Sequence, residues 1–165
     1  MPAINQASSK TRNKLSLISS HTKTADQKGQ IQDLLEHGII FHRAGMLKHA
    51  QDVYEQTLIA QPDHVDAMHL LGLIAYQTAN FELAEHLIEG AIALNPNNAS
   101  YHSNLGNVLK AGQKYDAAIL SYDRAIELKP DFTYTYYNRG NALHVLRRLE
   151  DAVESFDQAI SISPD

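Results

Sequence analysis

The chain contains no cysteine. Disulfides, thiol nucleophiles and thiolate metal sites are therefore excluded, and the redox compartment leaves no trace in the sequence. No apolar run approaches the roughly eighteen residues that span a bilayer. The basic N-terminal stretch holds only the broken "LSLI" of residues 15–18, too short for the apolar core of a secretory signal. Glycines are few and fall singly, so no glycine-rich phosphate loop exists. The nine histidines include no i, i+4 pair with an embedded Glu, the pattern a zinc helix needs. Ser100, Ser103 and Ser121 stand without a glycine elbow or a defined base. These absences argue against an enzyme within this segment, and no cofactor or metal is expected.

Net charge is −5 but unevenly spread. Of the 14 Lys and Arg and 19 Asp and Glu, residues 1–29 hold five cations against Asp26 alone, leaving nine cations against eighteen acids beyond them. An acidic body is a poor nucleic-acid binder, because phosphate contacts need concentrated Lys and Arg. No nucleic acid and no membrane are expected as partners. Residues 1–29 are polar, Ser-rich and basic, too poor in apolar surface to offset ordering entropy, and are expected to be a disordered leader. The default compartment is cytoplasmic.

What is present is a repeat. Pro62, Pro96, Pro130 and Pro164 recur every 34 residues, as do Gly38, Gly72, Gly106 and Gly140, and Ala50, Ala84, Ala118 and Ala152. Tyr54, Ile88, Tyr122 and Phe156 follow those alanines by one helical turn. Each block ends in an apolar pair, weakest at Thr57-Leu58 and clear at Ala91-Ile92, Ala125-Ile126 and Ala159-Ile160.

Within a block the period is helical. His102, Leu105, Gly106 and Leu109 trace one stripe, and Tyr115, Ala118, Ile119, Tyr122 and Ile126 another. Between them "AGQK", residues 111–114, supplies a glycine break and a polar turn. The prolines stop the second helix, and Asp63, Asn97 and Asp131 are placed to cap the next one. Glycine inside a helix costs about 1 kcal/mol relative to Ala. Its recurrence predicts close approach of the two helices. Hairpins with uncovered apolar faces stack into a solenoid. The expected fold is all-α: four hairpins over 30–165, with repeats 31–64, 65–98, 99–132 and 133–165.

The 34-residue period with Leu-Gly, a downstream Ala, a large residue four later, Ala-Ile and a closing Pro resembles the tetratricopeptide repeat family. His37 and Arg139 depart from the Leu usual before the glycine. The resemblance implies a right-handed superhelix whose first helices line a concave groove that grips peptides, and hence a non-catalytic interaction scaffold with a protein or peptide partner.

Candidate site residues come from positions that vary between blocks. Asn104 and Asn107 share a helix face, and Asn138 and Asn141 repeat it one block later. A carboxamide both donates and accepts, so it can pair with any peptide backbone. "NLGN" resembles the asparagine ladder of O-linked N-acetylglucosamine transferases, which makes the substrate-presenting array of such an enzyme an alternative. Asn107 and Asn141 read equally well as bonds between neighbouring helices. Lys110, Tyr134, Tyr137 and His144 complete the expected peptide-binding set, with Tyr101 and Ser103 nearby and an apolar early stretch at Leu35, Ile39, Leu70 and Leu73. The carboxylate clamp of chaperone-binding repeats is not matched, since the corresponding Leu35, Ile39, Leu70, Ser100 and Asn104 include no cation. An uncovered last helix, with Phe156, Ala159 and Ile160, allows self-association as a third reading.

Overall fold

The computed structural model describes residues 28–164, and all regular structure among them is helical. The expectation of a disordered leader falls almost wholly outside the described residues; Lys28 and Gly29, assigned to it, are helical.

Two compact units divide at Gln61 and Pro62. The first contains α1 (28–43) and α2 (Leu47–Ala60). The second contains α3 (Val65–Gln77), α4 (Phe81–Leu94), α5 (Ala99–Ala111), α6 (Tyr115–Leu128), α7 (Thr133–Val145) and α8 (Leu149–Ile162). Consecutive pairs form hairpins. In the second unit each second helix packs on the next hairpin's first helix, α4 on α5 and α6 on α7. One core runs through these hairpins, from Ala75, Ala84 and Ile88 through Leu105, Val108, Leu109 and Tyr122 to Ala142, Leu143 and Ala152.

The glycine column behaves as its spacing predicts, and the structure adds what it faces. A Cβ at Gly106 would collide with the Tyr122 ring, and one at Gly38 with the Tyr54 ring. At Gly140 it would lie 2.6 Å from Phe156 Cε1, and at Gly72 2.7 Å from Ile88 Cγ1. The glycine thus makes room for the large side chain four residues past the alanine column, whose members are 0–2% exposed.

The ends of the second helices also follow the sequence. Gln61, Asn95, Lys129 and Ser163, each directly before a proline, leave the helical region with φ between −138° and −144°. Two expectations about turns need correction. The N-caps of α3 and α5 are His64 and Asn98, one residue after the predicted Asp63 and Asn97; His64 Nδ1 accepts from the Ala67 amide and Asn98 Oδ1 from the Ser100 amide. Phe132, at the matching place before α7, makes no side-chain cap. The hairpin turn is not made by Gly112, which has φ −77°. The left-handed residue is Gln113 at φ 62°, and it too recurs every 34 residues: Gly45 (73°), Ala79 (59°), Gln113 and Arg147 (62°).

Candidate functional site

The first helices of the second unit, α3, α5 and α7, carry the variable polar residues. Neighbouring first helices are joined by side-chain hydrogen bonds. Between α3 and α5, the Tyr101 hydroxyl donates to Asp66 Oδ1 at 2.9 Å, and Asn104 Nδ2 lies 2.8 Å from His69 Nε2. The His69 and Tyr101 rings are stacked at a tilt, 4.4 Å apart. Burial pushes the His69 pKa down to about 4, against a smaller opposing pull from Asp66. The ring is therefore neutral at pH 7, and Asn104 Nδ2 donates to its unprotonated Nε2. Burial, helped by the hydrogen bond to Asp66, raises the Tyr101 pKa to about 12.

Between α5 and α7, Ser103 and Thr135 hydroxyls meet at 2.9 Å in the interior. Lys110 Nζ donates to Asn138 Oδ1 at 2.8 Å. Desolvation lowers the Lys110 pKa, and no carboxylate forms an ion pair with it among the described residues.

The four asparagines divide by partner. Asn104 is bound back to His69, and Asn138 accepts from Lys110. Asn107 accepts a hydrogen bond from the buried Tyr122 hydroxyl at 2.9 Å, within its own hairpin. Asn141 stands at the same repeat position, but its counterpart to Tyr122 is Phe156, which has no hydroxyl. The identical "N-x-G-N" wording thus conceals two environments. His144, one repeat after Lys110, is exposed in the last turn of α7.

Tyr134 and Tyr137 are 77% and 54% exposed. With Asn138 and Thr133 they line a cavity of about 400 Å³ completed by Ala159, Ile160 and Ser163 of the last hairpin. The Tyr137 ring lies 5.8 Å from Phe156. This aromatic pair therefore opens onto a surface shared with the end of α8, not one lined by first helices alone. Tyr101 and Ser103, expected on the open surface, are 4% and 5% exposed, spent on contacts between helices. Leu35 is 4% exposed and belongs to the interior of its own hairpin, while Ile39, Leu70 and Leu73 are half-buried.

Three partners escaped the sequence reading: His69, Asp66 and the pair around Arg139. The first two carry a signal, since 66 with 101 and 69 with 104 are each one repeat plus one residue apart. Arg139, the departure before the fourth glycine, donates from Nη1 to Ser155 Oγ at 3.0 Å. Its Nε lies 2.6 Å from Asp123 Oδ1 without hydrogen-bond alignment, so that contact is coulombic. No group of three or more His, Cys, Asp or Glu able to hold a metal occurs among the described residues. No helix among them is long and apolar enough to cross a membrane.

Comparison with known proteins agrees with this geometry. No curated protein sequence matches the chain. Among solved structures it is similar to MamA, with 25% identity and a TM-score of 0.78 over 81% of this chain and 78% of that one. It is similar to a mutant O-GlcNAc transferase from Thermobaculum terrenum, with 37% identity and a TM-score of 0.69. That match covers 72% of this chain but only 23% of the transferase. A third is YrrB, described as a TPR protein with an unusual peptide-binding site, with 27% identity, a TM-score of 0.72, and coverage of 78% and 66%. Tetratricopeptide repeat models match residues 41–107 and 133–165, and a TPR repeat model matches 106–146. Matched by these models from residue 41 to 165 and built of hairpins that repeat the glycine-to-large-residue contact, the chain belongs to the tetratricopeptide repeat family.

Proposed function

We propose that this chain is a non-catalytic interaction scaffold, cytoplasmic by default, that binds a peptide or partner-protein segment along α5 and α7. The observation that carries this reading is the row of carboxamides on successive first helices, Asn104, Asn107, Asn138 and Asn141, of which only Asn107 is committed within its own hairpin. Asn104 and Asn138 each use one side of the amide on a neighbour and keep further hydrogen-bonding capacity for a peptide backbone. Lys110, Tyr134, Tyr137, Asn141 and His144 complete the surface. Exposed tyrosines add contact area with little side-chain entropy to lose. YrrB, similar over 78% of this chain, is described as having a peptide-binding site.

Titration calorimetry with peptides recovered from a pull-down tests it. The Asn104→Ala/Asn138→Ala chain, folded by circular dichroism, is expected to bind at least tenfold more weakly than wild type, from two lost hydrogen bonds at about 1 kcal/mol each. Equal affinity would show that the carboxamides are not the binding surface.

A second reading is favoured by one observation, the 37% identity to the O-GlcNAc transferase structure over 23% of its length. In it the chain is the substrate-presenting array of a larger protein glycosyltransferase. A glycosyltransferase domain encoded in frame after Asp165 would establish this reading; a stop codon there would remove it.

A further inference from the structure

We propose that the scaffold's ligand is a peptide carrying an acidic side chain beside a bulky apolar one, the acid seated at Lys110 and the apolar group in the cavity beside Tyr137. This rests on the scaffold reading above and names the ligand's chemistry.

Lys110 is half-buried and its ammonium is held by an amide oxygen instead of a carboxylate. The neighbouring sequence supplies no acid: neither α5 nor α7 contains Asp or Glu. Asp66 of α3 is already engaged by Tyr101. The second helices, by contrast, are rich in carboxylates, such as Glu82, Glu85 and Glu89 on α4. Elsewhere in the second unit, Lys114 is paired with Glu85, Arg124 with Glu127, Arg139 with Asp123 and Arg148 with Asp151. Lys110 therefore keeps its charge on a face from which acids are absent.

The hydrogen bond to Asn138 has a second effect. With Oδ1 taken by Lys110, the carboxamide is turned so that its Nδ2 protons are offered to a ligand. The remaining ammonium protons and the Nδ2 protons are donors without an acid between them, the arrangement that suits a carboxylate. Asn138 also lines the 400 Å³ cavity with Tyr134, Tyr137 and Ile160. One residue thus joins a cation to an apolar pocket. On the far side, Asp131 lines an adjoining cavity of about 300 Å³ with Tyr134, so an acid placed there meets like charge. That fixes the order in which the ligand's two groups lie across α7.

The test is selection from a randomised short-peptide display library on the immobilised chain, followed by fluorescence anisotropy with the enriched peptides. Wild type is expected to enrich Asp or Glu beside an aromatic or large aliphatic residue. Replacing the acid by its amide, or Lys110 by Gln, should weaken binding about tenfold each, and the two together no further. Lys110→Glu should instead enrich Lys or Arg at that place, which also shows that the surface survives the substitution. Enrichment of neutral or basic peptides by wild type, or unchanged affinity on amidating the acid, overturns the proposal. If such neutral peptides still lose affinity to Asn104→Ala/Asn138→Ala, the scaffold reading stands without it. Failure to enrich any peptide removes both.

Discussion

At the scale of single residues, the contrast between Asn107 and Asn141 shows how much a hydroxyl decides. Tyr122 reaches Asn107 because the glycine at 106 lets its ring lie against the first helix. Tyr122→Phe should cost about 1 kcal/mol in urea denaturation, the worth of one hydrogen bond plus the desolvated amide it orphans. Phe156→Tyr should do the reverse, giving Asn141 a partner and raising the denaturation midpoint; an unchanged midpoint would mean the two hairpins differ in more than that oxygen. Gly106→Leu should lose roughly 1–3 kcal/mol or more through overpacking against Tyr122, and a thermal melt equal to wild type would contradict the close approach. His69 supplies a pH dependence. Its pKa of about 4 in the folded chain lies below the usual 6.5, so between these values the unfolded chain binds the proton more readily. Its contribution is complete above about pH 6.5 and is lost as pH falls toward 4. His69→Gln, which can still bond Asn104, should flatten that slope when its pH–stability curve is compared with wild type.

At the scale of elements, helices and their second-helix ends were legible and turns were not. A helix buries the same columns in every block, so glycine, alanine and the large residue recur in register and declare the hairpin. The hairpin turn needs one residue at positive φ, a backbone demand that Gly, Ala, Gln and Arg all meet here at positions 45, 79, 113 and 147. Because the demand falls on the backbone and not on a side chain, the column has no common residue type, and Gly112 drew attention to the wrong place. Left-handed backbone costs a non-glycine residue roughly 1–2 kcal/mol. Gln113→Gly and Ala79→Gly should therefore each stabilise the chain by up to about 1 kcal/mol, after the entropy glycine adds to the unfolded state. A lower denaturation midpoint for both would contradict the assignment of these turns.

At the scale of the whole molecule, the repeat explains both what could be read and what could not. Family and hairpin order come from a 34-residue period that survives in every block. The binding surface depends on which side chains are consumed by neighbours, and that is decided across repeats by pairs such as Lys110 with Asn138 and Ser103 with Thr135. Their separations of 28 and 32 residues match no simple offset, since long and short side chains reach differently between adjacent helices. The candidate residues were therefore located on the correct helices while their roles stayed mixed: Asn107 bound inside its hairpin, Asn138 shared between a lysine and a cavity, Tyr134 and Tyr137 turned toward α8.

The central claim is that ligand lies along the first helices α5 and α7. Nuclear magnetic resonance of the labelled chain, titrated with a display-selected peptide, reads this directly from the side-chain amide signals of Asn104 and Asn138. Those two signals, with backbone amides of α5 and α7, are predicted to shift together while α4 and the exposed face of α6 stay fixed. Shifts confined to the second helices, with both asparagine side chains unmoved at saturation, would contradict it.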